Sequence, residues 1–200
     1  MKNRLLDLGI QIQQIASPTF EEAERAEFIY NQFRAEPGEL MDIHKDTVGN
    51  VLARLPGNRQ APALIISAHM DTVFPGNTDL TCRQEKDKIY GPGIGDNSLG
   101  VAGLFAILWS IREKGIKPAG YIWFVANTCE EGLGNLHGMK AIVDRFGNTP
   151  KAYLILEGTA FGYIYHKAIG VQRYKITVKT EGGHSWKDYG KPSAIHVLSD

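Results

Sequence analysis

A histidine and an aspartate, His69 and Asp71, stand directly after the apolar run Ala63-Leu64-Ile65-Ile66-Ser67-Ala68. Residues i and i+2 of a strand point the same way, so a buried strand here ends by delivering an imidazole and a carboxylate onto one face. Further acidic positions recur in similar settings. Asp96 lies in the glycine-rich stretch Gly91-Pro92-Gly93-Ile94-Gly95-Asp96-Asn97-Ser98, Glu130 and Glu131 follow the apolar run 121–128, and Glu157 follows the run 153–156. One imidazole among several carboxylates suits a site for divalent metal, with two ions expected. The carboxylates offset the ions' charge, the imidazole fixes geometry, and a free carboxylate can take a proton from an attacking water.

Each of these residues also has a plain structural reading. His69 and Asp71 form a surface-loop pair, Asp96 caps a helix, Glu130 and Glu131 are a solvated acidic pair, and Glu157 ends a strand. The run from Gly91 to Gly100 lacks the GxGxxG spacing of a dinucleotide loop and carries an aspartate where pyrophosphate would need backbone N–H groups, so a nucleotide-binding domain is disfavoured.

The elements that must position these residues can be read from periodicity. Apolar positions at Leu5, Leu6, Leu8, Ile12 and Ile15 predict a helix over 3–15, broken by Ser17-Pro18. Thr19-Phe20-Glu21-Glu22 reads as a capping box, with Thr19 as N-cap, opening a helix to about residue 35. Strands are expected at 39–45, 50–55, 63–68, 88–90, 120–127 and 152–156, and helices at 97–114 and 138–146. Continuous apolar strands alternating with helices indicate an α/β fold, with a mostly parallel central sheet flanked by helices. The carboxyl-terminal edge of such a sheet is where ligands bind. From 171 to 180 the pattern changes to apolar–polar alternation, predicting a half-solvated strand, and Pro192-Ser193 opens a further helix.

The 200 residues carry 22 basic and 22 acidic side chains, so neither nucleic acid nor an anionic membrane has an electrostatic case as partner. No stretch reads as about 18 apolar residues in a row, and the N-terminus lacks a signal-peptide core. Cys82 and Cys129 form no disulfide framework, which fits free thiols in a cytoplasmic protein.

Ser-Ala-His-Met-Asp-Thr-Val at 67–73, Gly-Pro-Gly-Ile-Gly-Asp-Asn-Ser-Leu-Gly at 91–100, Cys-Glu-Glu-Gly at 129–132 and Leu-Glu-Gly at 156–158, in this order, resemble the co-catalytic zinc exopeptidase and deacylase family. The resemblance implies a zinc-exopeptidase-like catalytic domain over 1–168 and, over 169–200, the beginning of a smaller α+β lid and dimerisation domain. It implies two zinc ions, with cobalt or manganese also fitting a carboxylate-rich site. His69 and Glu157 would bind one ion, Glu131 the other, and Asp96 would bridge them across a cis Asp96–Asn97 bond. Asp71 would orient His69 without touching metal, and Glu130 would act as general base and acid. Gly132 and Gly134 fit a loop passing close to the site.

His184 matches the position that reaches across a homodimer to hold the scissile carbonyl oxygen in the partner's site. His44, His137, His166 and His196 have no motif support and read as structural or surface residues. The implied activity is hydrolysis of a peptide or N-acyl amide bond in a small peptide or N-acylated amino acid. Family members are longer, and a second ligating histidine belongs to a returning segment outside these 200 residues. A truncated, non-catalytic fragment or pseudoenzyme binding one metal or none is therefore the alternative expectation.

Overall fold

The computed structural model describes residues 1–58, 60–158, 162–172 and 174–199. The chain divides into two compact units, Met1–Ile164 and Tyr165–Asp200.

The first unit is built on a five-stranded sheet. Its strands are β1 (Met41–Lys45), β2 (Val51–Leu55), β3 (Leu64–His69), β6 (Ile122–Asn127) and β7 (Ala152–Ile155), in the order β1-β2-β6-β3-β7. β4 (Arg83–Glu85) and β5 (Lys88–Tyr90) make a separate two-stranded ribbon. The three strands β6, β3 and β7 run parallel, while β2 and β1 are added antiparallel, so the sheet is mixed. A short turn forces the antiparallel entry of β1 and β2. Asp46 Oδ1 accepts the N–H groups of Val48 and Asn50 at 3.0 and 2.9 Å, and Gly49 supplies the positive φ of 94° that the turn requires.

Among the described residues, four α-helices belong to this unit, α1 (Lys2–Gln13), α2 (Ala23–Ala35), α3 (Leu99–Glu113) and α4 (His137–Phe146), and one, α5 (Ala194–Ser199), belongs to the second unit. Alternate residues of the central strands sort into two clusters, one per face, which is why these strands read as continuous apolar runs. Val51, Ala53, Ile66, Ala68, Phe124 and Ala126 join residues of α1, α2 and α3 in the larger cluster. Leu52, Ile65, Trp123 and Val125 join Ile142 of α4 in the smaller one. Phe33 of α2 stacks on Phe105 of α3 with ring centroids 4.2 Å apart. Burying one such ring contributes roughly 1.5–3 kcal/mol.

The segment Ile94–Glu113, which contains α3, has a mean hydropathy of 1.4 and is long and apolar enough to cross a membrane. This corrects the sequence-based expectation that no segment qualifies. The reason is burial: Val101, Ala102, Leu104, Phe105 and Leu108 are all within the core, so the helix is apolar on most of its circumference.

Two local expectations also change. Thr19 and Glu22 do not form a capping box. α2 begins at Ala23, its N-cap Glu22 makes no capping bond, and the Thr19 hydroxyl donates instead to Asp71 Oδ2 at 2.9 Å. In the second unit, the described residues of 171–180 form no strand. Alternation marks a strand only where a neighbour supplies a ladder, and that unit contains no strand among its described residues to pair with. The helix expected after Pro192-Ser193 is present as α5.

Candidate metal centre

β3 and β6 lie side by side in parallel register as far as the pair His69 and Asn127, and Met70 N–H continues the ladder to Asn127 O at 2.8 Å. On the other side of β3, Leu156 N–H donates to Ser67 O at 2.8 Å. Three parallel strands therefore finish at one level, and the residues immediately beyond them are the acidic ones: Asp71 after β3, Glu130 and Glu131 after β6, Glu157 after β7. Asp96 arrives separately, in the turn Ile94–Ser98 that precedes α3. Its bond to Asn97 is cis. Asn97 Nδ2 donates to Leu156 O at 2.8 Å, which fastens this turn to the end of β7. Asp96 is not a helix cap, since α3 takes Ser98 as its N-cap.

His69 is only 2% exposed in its side chain. Its Nδ1 donates to the backbone oxygen of Asp71 at 3.0 Å and lies 3.5 Å from Asp71 Oδ1. That leaves Nε2 facing the open side of the site, 2.9 Å from Asp96 Oδ1 and 3.7 Å from Glu157 Oε2. One ligand atom each from His69, Asp96 and Glu131 lie within 4.8 Å of one another. A ring held from behind by Asp71, with its other nitrogen pointed at carboxylates, is the arrangement a metal-ligating histidine needs.

Asp71 is fully buried and makes a set of hydrogen bonds that fixes both of its oxygens. Oδ1 accepts Glu130 N–H at 2.9 Å; Oδ2 accepts Glu131 N–H at 3.0 Å and the Thr19 hydroxyl. Burial pushes its pKa up, but the bonds from His69, the two backbone amides and Thr19 outweigh it and hold the carboxyl below its usual range. Glu157 is lowered too. Burial again opposes, and the His69 ring and the Gly158 N–H prevail.

Glu130 and Glu131 shift the other way. Burial raises both, and the neighbouring carboxylates add to it, with His69 alone pulling down. For His69 burial lowers the pKa, but hydrogen bonds and charge from Asp71 and Glu157 raise it to about 11. Five carboxylates, those of Asp71, Asp96, Glu130, Glu131 and Glu157, face a single basic ring, and this excess of hard oxygen donors fits a divalent metal ion.

The loop after β6 needs its glycines. Gly132 has a φ of 48°, and a Cβ on Gly134 would press on the backbone of Cys129 and on Thr19. The structure brings together His69, Asp71, Asp96, Glu130, Glu131 and Glu157. His184 belongs to the second unit, where its Nδ1 accepts Trp186 and Lys187 N–H at 3.2 and 3.3 Å.

Sequence reasoning missed Thr19, which it assigned to a cap, and Arg25. Arg25 is 1% exposed on α2 and donates to Met70 O at 2.8 Å, between His69 and Asp71. Burial lowers its pKa to about 10 against the opposing charge of Asp71. Nothing in the local pattern of an amphipathic helix announces such a long-range contact.

Residues 65–192 match the sequence family described as peptidase family M20/M25/M40. The uncharacterized protein YqjE of Bacillus subtilis is 30% identical over 149 residues, 70% of this chain and 39% of that protein. A probable succinyl-diaminopimelate desuccinylase of Staphylococcus aureus is 30% identical over 145 residues, 69% of this chain and 35% of that protein. The chain therefore spans well under half the length of these curated relatives. The crystal structure of aminopeptidase PepT from Bacillus cereus superposes with a TM-score of 0.64 at 27% identity, covering 80% of this chain and 44% of that one. Motif order, strand-end geometry and sequence match agree: the chain belongs to peptidase family M20/M25/M40.

Proposed function

We propose that the protein is a metal-dependent amidohydrolase that cleaves a peptide bond or the N-acyl bond of an amino acid. The observation that carries this reading is the convergence of His69, Asp96 and Glu131 on one point, with Glu130 and Glu157 beside them. In this reading His69 and Glu157 would hold one ion and Glu131 a second, with the Asp96 carboxylate between them available to both. Zinc is the expected metal. When bound, such ions polarise the substrate carbonyl and acidify a water.

The chain's own residues do the rest. Asp71 holds the His69 ring so that Nε2 is the ligating nitrogen. Glu130, whose pKa is raised by burial and by its acidic neighbours, accepts the proton of the attacking water and hands it to the leaving amine. In this reading residues 1–168 are the catalytic domain and 169–200 the start of a lid and dimerisation domain. His184 serves the site of a homodimer partner, and the free thiols Cys82 and Cys129 accord with a cytoplasmic location.

The test is to strip the protein, reload it with zinc, count bound metal by plasma mass spectrometry, and assay amine release from dipeptides, tripeptides and N-acetyl amino acids. Two ions per chain, lost on Asp96→Ala, with amine released from either substrate class, is the expected result. A soluble, folded protein that holds no metal would overturn the reading.

A further inference from the structure

Glu130 and Glu131 sit in a segment that belongs to no helix or strand, yet its backbone polar groups are all engaged. Four successive N–H groups donate to side-chain oxygens: Thr128 to Asn50 Oδ1 at 3.0 Å, Cys129 to Glu22 Oε1 at 3.0 Å, and Glu130 and Glu131 to the two oxygens of Asp71. The four carbonyls accept N–H groups from the loop that follows and from the first turn of α4. Thr128 takes Gly138, Cys129 takes His137, Glu130 takes Leu136 and Glu131 takes Gly134. A segment at the end of a sheet has lost its ladder partners, and here side chains from three other parts of the chain replace them.

Within this set the Cys129 position is the one that fixes direction. Cys129 has a φ of 52°, a left-handed conformation that a residue with a side chain keeps only where its surroundings impose it. The chain turns there, between the end of β6 and Glu130. The group that meets the turn is Glu22, 6% exposed at the start of α2. Its Oε1 also accepts Phe20 N–H at 3.0 Å and faces the Cys129 thiol at 3.3 Å. One oxygen thus ties the entry to α2 to both the amide and the side chain of the residue before Glu130.

We infer that Glu22 is a positioning residue for Glu130 and Glu131, acting through the N–H of Cys129. It touches neither metal nor substrate. What it sets is the direction in which the two glutamates leave β6. The placement of the turn stands on its hydrogen bonds alone; its consequence for metal binding rests on the amidohydrolase reading above.

Cobalt(II) alone, titrated into the full chain and followed by visible absorption, tests the inference with Glu22→Ala and Glu22→Gln. The alanine variant leaves the Cys129 amide without its acceptor and is expected to bind cobalt about tenfold or more weakly, with an altered ligand-field spectrum. The glutamine variant keeps a carbonyl oxygen for the same amide and is expected to restore wild-type affinity and spectrum. Wild-type behaviour of the alanine variant, or equal loss in both, would overturn the inference.

Amide hydrogen exchange on the wild-type protein gives a second reading that survives misfolding of a variant. Cys129, Glu130 and Glu131 should exchange as slowly as the amides of β6, and exchange at the rate of open loops would overturn the inference. Absence of any cobalt binding by the wild type would sink the amidohydrolase reading instead, with the exchange rates still deciding the role of Glu22.

Discussion

Asp71 Oδ1 accepts the backbone N–H of Glu130 at 2.9 Å, so the carboxylate proposed to orient the His69 imidazole also anchors the residue proposed as the base. The two functions share one side chain. Asp71→Asn should damage both, because its Nδ2 would face an N–H of Glu130 or Glu131 with no acceptor to offer. We expect metal affinity to fall about 10- to 100-fold, measurable by competition with a chromophoric chelator. Unchanged affinity would mean that His69 needs no orienting partner.

Glu130→Gln separates chemistry from binding. The amide keeps the shape of the side chain and removes its basicity, and Glu130 is not among the proposed ligands. Turnover of a responsive peptide or N-acyl substrate should fall at least a hundredfold, while bound metal, counted by mass spectrometry, stays at the wild-type level. Equal loss of metal would move Glu130 into the ligand set.

The Cys129 thiol is buried, and burial together with the Glu22 carboxylate raises its pKa from 9.0 to about 11. The sign follows from linkage. The unfolded chain releases this proton near pH 9 and the folded one holds it until about 11, so this contribution to stability is intact below pH 9 and is lost as pH rises through that window. Denaturation curves between pH 8 and 11 should therefore fall more steeply for wild type than for Cys129→Ala. Parallel curves would refute the shift.

Gly158 packs against the turn that carries Asp96, and a Cβ there would run into the carbonyl oxygen of Gly95. Both partners are backbone, so relief requires moving a strand end or the Asp96 turn. Gly158→Ala should cost about 1–3 kcal/mol in urea denaturation and displace Asp96 relative to His69, weakening metal binding as well. A variant as stable as wild type would show that the turn yields freely.

Much of this was legible before any coordinates. The apolar runs ending in His69, Glu130 and Glu157 announced strands by their composition, and the acids beyond them announced a site, because buried strands and a ligand-binding sheet edge leave that joint pattern. The glycines around Asp96 likewise marked an irregular turn. What stayed hidden depends on contacts between distant segments. Thr19 and Glu22 fit a local capping pattern, yet both spend their oxygens across the fold, on Asp71 and Cys129. Arg25 carries no local signal in the sequence, yet it is buried and donates to Met70 O. The alternating segment 171–180 had the right period for a strand without the neighbour that makes one.

The sheet order places β6 between β2 and β3, two strands that follow one another in the chain. Ribosomal synthesis delivers β2 and β3 while the slot between them is still empty, and some fifty residues pass before its occupant emerges. His69 and Asp71 are thus made early and wait for Glu130 and Glu131. The proposed metal centre cannot form before β6 has taken its place between β2 and β3 and Glu157 has followed β7, which would make its affinity for an ion a chemical gauge of whether the topology has closed correctly.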